Sequence, residues 1–126
     1  MREETRAAAE LVIGTLDKYV DAMGGHKDDS AKPRYDLIAP EILEALAEVL
    51  RYGADKYEPR NWERGMDWGR VYGALQRHMW AWWAQKGADE ETGYSHLHHA
   101  ACCLMFLIAY EARGAGNDDR PPPGRV

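Results

Sequence analysis

Apolar residues recur at helical spacing in four stretches of the chain, and no stretch shows a convincing strand alternation. The first stretch spans residues 3–23, with Leu11, Val12, Leu16 and Tyr19 or Val20 in register, and Gly24-Gly25 stops it. A polar loop over 26–34 follows. Pro40, a favoured first-turn residue, then opens a helix that continues to about Tyr57. At about 100° per residue, Ile42, Leu43, Leu46, Val49 and Leu50 form its apolar face. Glu41, Glu44, Glu48 and Asp55 form a narrow acidic stripe opposite, with Arg51 beside it. A turn-rich connection over 58–65 leads to a third helix, capped by Asp67 and running to Gln85 before Lys86-Gly87. The fourth runs from about Tyr94 to Glu111 and is apolar nearly all round from Ala100 through Tyr110, which predicts the central, most buried element of a bundle. Beyond it, Asn117-Asp118-Asp119-Arg120 and Pro121-Pro122-Pro123 predict an extended or disordered end.

The pattern therefore predicts one all-α domain over 1–113 and a flexible Pro-rich tail over 114–126, within a 126-residue chain too short for two comfortable domains. Hydrophobic residues at 45% and charged residues at 29% exclude wholesale disorder. Five Trp and seven Tyr against one Phe place amphipathic rings at half-buried positions or interfaces. A net charge of -5, from 21 acidic and 16 basic residues, argues against a sequence-independent nucleic-acid binder. An acidic protein that handles polyphosphates needs metal cations between its carboxylates and its substrate. The adjacent Cys102 and Cys103 point to different sides of a helix and suit buried thiols in a reducing compartment better than a disulfide. With no apolar leader after Met1 and no apolar run long enough to span a bilayer, the expected location is the cytoplasm, with no membrane partner.

Three groups could carry chemistry. Glu41 and Glu44, at i and i+3, either belong to a solvated acidic face or ligate a hard divalent cation, which would relieve the stacking of like charges. In the fourth helix His96 and His99 lie on one side, with His98 turned to another. At a helix N-terminus these rings should be neutral, free to accept a metal or a proton, or else bonded to the preceding loop as core histidines. Asp89, Glu90 and Glu91 stand just upstream. Finally Lys56, Arg60, Asn61 and Trp62 offer two cations, an amide and an indole on which a base could stack, although a Trp after a turn is more often a packing anchor. Arg77 and His78, ahead of Trp80, Trp82 and Trp83, could serve a site or an interface. No Walker-type loop, nucleophile elbow or zinc-finger spacing occurs.

The order of segments narrows this further. Lys32-Pro33-Arg34-Tyr35-Asp36, Pro40-Glu41-Ile42-Leu43-Glu44, Tyr52-Gly53-Ala54-Asp55-Lys56-Tyr57, Arg60-Asn61-Trp62, Arg77-His78, Asp89-Glu90-Glu91-Thr92-Gly93 and His96-Leu97-His98-His99-Ala100 follow one another. This series resembles the phage dATP/dGTP diphosphohydrolase (MazZ-like) family, itself similar to the MazG-like all-α nucleotide pyrophosphohydrolases. The resemblance implies a four-to-five-helix bundle that assembles into a homodimer or homotetramer. It also implies Mg²⁺- or Mn²⁺-dependent hydrolysis of dGTP or dATP to the monophosphate and pyrophosphate, remodelling the nucleotide pool of phages that use 2-aminoadenine DNA. MazG-like proteins face an E-x-x-E pair with an E-x-x-D pair. Glu41 and Glu44 match the first, whereas His96 and His99 stand where the second is expected, with Asp89 and Glu91 able to reach in from the loop.

The expected metal ligands are thus Glu41, Glu44, Asp89, Glu91, His96 and His99, and the base is Glu48 or His99. Lys32, Arg34, Asp36, Lys56, Arg60, Asn61, Trp62, Arg77 and His78 are the expected substrate contacts. Two alternatives remain: a His/Asp-type phosphohydrolase releasing triphosphate or a single phosphate, and a non-enzymatic helical oligomerisation module.

Overall fold

The computed structural model describes residues 23–126. The helix expected over 3–23 therefore lies, except for Met23, outside the described residues. The chain divides into two compact units, Met1–Ile38 and Ala39–Val126. In the first, a short 3₁₀ turn at Tyr35–Leu37 follows Arg34, whose Nε and a terminal nitrogen donate to the two carboxylate oxygens of Asp36 at 2.9 and 2.8 Å.

The second unit holds three α-helices: α1 (Pro40–Lys56), α2 (Trp68–Trp83) and α3 (His96–Arg113), with a 3₁₀ turn at Asn61–Arg64. Among the described residues the fold is all-helical, with fewer helices than the four to five expected. Pro40 starts α1, where a missing N–H costs nothing. Ser95 caps α3, its hydroxyl accepting from the Leu97 N–H, and Gly114 ends it in the left-handed conformation that glycine tolerates.

α3 is the helix on which both others pack. The residues buried in the core are Ala45 from α1, Val71 from α2 and Ala100, Cys102 and Tyr110 from α3. The central role expected of the apolar helix is thus observed, but its burial is incomplete. Leu104 and Ile108 stay exposed, lining one surface with Tyr72 of α2, and Trp80 and Trp83 of α2 are exposed as well, so apolar surface is left open on this chain alone.

Asp67 occupies the N-cap position of α2, yet its side chain makes no capping bond. That task falls to Asp119, whose carboxylate accepts from the Gly69 N–H fifty positions earlier at 2.7 Å. The segment after α3 is extended and bound along the start of α2. Asn117 exchanges backbone bonds with Met66 and Trp68, Ala115 accepts from the Trp68 indole, and Arg120 lies over that ring. Gly116 permits this approach, since a Cβ there would sit 2.6 Å from the Met66 carbonyl oxygen.

Candidate metal centre and cavity

The loop before α3 is organised by one side chain. Asp89 Oδ1 accepts from the Glu91 N–H at 3.0 Å, the Thr92 N–H at 2.9 Å and the Thr92 hydroxyl at 3.1 Å. Backbone bonds from Gly93 to Asp89 and from Asp89 to Tyr94 close the turn. The turn sets Asp89 3.8 Å from His99 Nε2 in the first turn of α3.

His78 arrives from α2. Its Nδ1 stands 2.9 Å from His96 Nδ1, and its ring stacks on His99 with centroids 4.8 Å apart. One ligand atom from each of His78, Asp89 and His96 lies within 4.8 Å of the others. Two ring nitrogens facing at such a distance require a proton on one of them or a cation shared by both. Two imidazoles and a carboxylate are a donor set for a divalent first-row ion, so the residues fit such a metal. Burial lowers the pKa of His78 and of His99, and neighbouring imidazoles lower each further, which keeps their lone pairs available. Burial alone would raise the Asp89 pKa; the bonds from Thr92 outweigh it, with help from His99 and the Glu91 N–H, and hold the carboxyl ionised.

His78, Asp89 and His99 line a cavity of about 990 Å³ that also reaches Lys56, Arg60, Asn61, Trp62 and Arg113. Along α3, His99 and Phe106 are separated by about 10 Å of helix rise. At the Phe106 end, Trp62 stacks on Phe106 with centroids 4.8 Å apart and 17° between planes. The Arg113 guanidinium lies 5.4 Å from the Trp62 ring centre. Buried Tyr110 donates its hydroxyl to the Trp62 carbonyl at 2.6 Å, which pins the 3₁₀ turn to α3. Arg113 and Arg60 both reach Glu63 and together hold its carboxyl below the usual range. Nearer the imidazoles, a single oxygen of Glu91 accepts from Lys56 and from the Tyr52 hydroxyl, lowering the Glu91 pKa.

Of the residues expected to form the site, the fold gathers His78, Asp89, His96 and His99, with Glu91 beside them and Lys56, Arg60, Asn61 and Trp62 around the same cavity. Trp62 is also a packing element, its ring already engaged by Phe106. Glu41 and Glu44 are exposed at the start of α1 and do not line the cavity. Glu48 approaches His98, at 3.7 Å, and Arg77 is exposed on α2. Lys32, Arg34 and Asp36 belong to the other unit. Sequence reasoning missed Thr92, Tyr52, Glu63 and Arg113. For Thr92 a signal existed, since Asp89 followed by Thr92 is the spacing of a side-chain-capped turn; Glu63 and Arg113 pair across 50 positions and left none.

An imidazole–carboxylate group opening onto a cavity with cations and stacked aromatics defines a helical protein with a candidate metal centre beside an anion-ready pocket. The chain belongs to the family described as dATP/dGTP diphosphohydrolase, N-terminal, whose model matches residues 22–120. It is 37% identical over 98 residues to a dATP/dGTP diphosphohydrolase of Salmonella phage PMBT28, an alignment covering 78% of this chain and 33% of that protein. The chain thus spans about a third of the length of the curated relative it matches. No solved structure matches it.

Proposed function

We propose that this chain takes part in the hydrolysis of a purine deoxynucleoside triphosphate, dGTP or dATP, to the monophosphate and pyrophosphate, with a divalent cation. The observation that carries the reading is the His78–Asp89–His96 group, of which His78 and Asp89 line a cavity that also reaches Lys56, Arg60 and Arg113, in a chain of this family. A divalent ion held by His78, Asp89 and His96 would supply charge neutralisation for the phosphates and lower the pKa of an attacking water. Lys56 and Arg60 supply further positive charge for the outer phosphates. His99, half-buried and with its pKa lowered by that burial, accepts a proton. The two helical turns between His99 and Phe106 leave room for the ribose and base toward the Trp62–Phe106 stack.

Imidazole donors favour Mn²⁺ over Mg²⁺ as the ion. The exposed apolar surface of Tyr72, Trp80, Trp83 and Ile108 suits a homodimer or homotetramer. No helix among the described residues is long and apolar enough to cross a membrane, in keeping with a cytoplasmic setting. Incubation with dGTP and Mn²⁺ should yield dGMP and pyrophosphate; triphosphate, inorganic phosphate alone, or no product would overturn the reading. The same product analysis tests a second reading, a His/Asp-type phosphohydrolase, which the imidazole-rich group favours and which would release triphosphate or a single phosphate.

A further inference from the structure

The hydroxyl of Thr92 has one proton to give and two lone pairs to receive with. Three groups contact it: Asp89 Oδ1 at 3.1 Å, the Tyr94 N–H at 3.2 Å and His99 Nε2 at 2.6 Å. Asp89 Oδ1 already accepts from the Glu91 and Thr92 N–H groups and has no proton to give, so the hydroxyl proton goes to Asp89; otherwise the two oxygens would face each other lone pair to lone pair. The Tyr94 N–H fills one lone pair. The remaining lone pair faces His99 Nε2, and a bond forms there only if that nitrogen carries the hydrogen. Each of the three positions on the oxygen is then used once.

We infer that Thr92 is a positioning residue: it fixes His99 as the Nε2–H tautomer, leaves the ring's lone pair on Nδ1, and keeps Nε2 out of the coordination of any ion held by His78, Asp89 and His96. His99 and Asp89 are thus linked through the Thr92 hydroxyl as well as approaching directly at 3.8 Å. The same constraint extends one ring further, because His99 stacks on His78 at 14° between planes and so helps set the plane in which His78 presents its Nδ1. Of the two roles His99 could play, ligand or proton acceptor, Thr92 selects the second and assigns it to Nδ1. That last step rests on the proposed hydrolysis; the tautomer does not.

The test is ¹⁵N–¹H correlation of the imidazole rings in the full chain, as purified metal-free and after adding Zn²⁺ alone. Wild type and Thr92→Ser should show His99 protonated at Nε2, and Thr92→Val should show a mixture of tautomers with dispersed amide signals retained. On Zn²⁺ addition the His78 and His96 nitrogens should shift while the His99 Nε2–H signal persists. A His99 proton on Nδ1 in the wild type overturns the inference whether or not the valine variant folds. So does an unchanged tautomer in a folded Thr92→Val, or zinc ligation by His99 Nε2. In turnover of dGTP with Mn²⁺, Thr92→Val should lose about 10–100-fold in kcat with little change in KM, and Thr92→Ser should restore most of it. A chain that never hydrolyses dGTP would sink the proposed function and leave the tautomer result standing.

Discussion

Replacing Tyr110 by Phe removes one oxygen from the most buried large side chain described, only 1% exposed. The ring keeps its packing, so the cost comes from the hydrogen bond that ties the Trp62 carbonyl to α3 at 2.6 Å. That carbonyl also accepts from the Gly65 N–H at 3.1 Å, so it loses one of two partners and is not orphaned. The full penalty of a buried unsatisfied group therefore does not apply, and the expected loss is that of one neutral hydrogen bond, about 1 kcal/mol. For a chain of this size that corresponds to roughly 3–6 °C in Tm. Urea unfolding followed by Trp fluorescence should show a lower midpoint with an unchanged m-value, because the exposed surface is the same. Tyr110→Leu, which also leaves a void, should cost clearly more. An unchanged midpoint for Tyr110→Phe would refute the claim that this bond holds the 3₁₀ turn, and a loss above about 3 kcal/mol would refute the claim that Gly65 keeps the carbonyl satisfied.

Three further outcomes follow from the same geometry. Asp89→Asn and His96→Ala should each weaken Mn²⁺ binding about tenfold or more by electron paramagnetic resonance titration, while Glu41→Gln, on an exposed turn, should leave it unchanged. Burial pushes the Cys102 thiol up to about 12 from an ordinary 9.0, so at pH 8 its thiolate is roughly a thousandfold scarcer than in an exposed thiol. Iodoacetamide should label it only after unfolding, and because the unfolded thiol ionises first, folded stability should decline as pH rises above about 9; rapid labelling of native Cys102 would contradict its burial. Asp119→Ala removes the cap that Asp67 does not provide and should cost about 0.5–2 kcal/mol by thermal unfolding, against a smaller loss for Asp67→Ala, which forfeits only the exposed bond from the Asn117 side-chain amide.

The helices of the second unit were legible because their causes are local. Pro40 and the turn-rich connection over 58–65 act through a few neighbouring backbone groups, and the apolar period shows which face each helix buries. The i, i+3 spacing likewise placed His96 and His99 on one side of α3 without knowledge of any other element. Where each histidine finds its partner is a different kind of fact. His78 joins His96 because α2 lies against α3, and nothing within a few residues of either position encodes that encounter. The acidic stripe of α1 shows the converse: Glu41 and Glu44 share a face, but the packing left that end of the helix exposed and drew Asp89 to the imidazoles instead. Trp62 found Phe106, and Asp119 replaced Asp67 as a cap, for the same reason. Periodicity and capping are set by interactions one or two turns long, so the chain alone determined its helices and their faces. Which side chains meet depends on how those faces dock, so only the tertiary structure decided that His78 and His96 meet Asp89, with the Thr92 hydroxyl between Asp89 and His99.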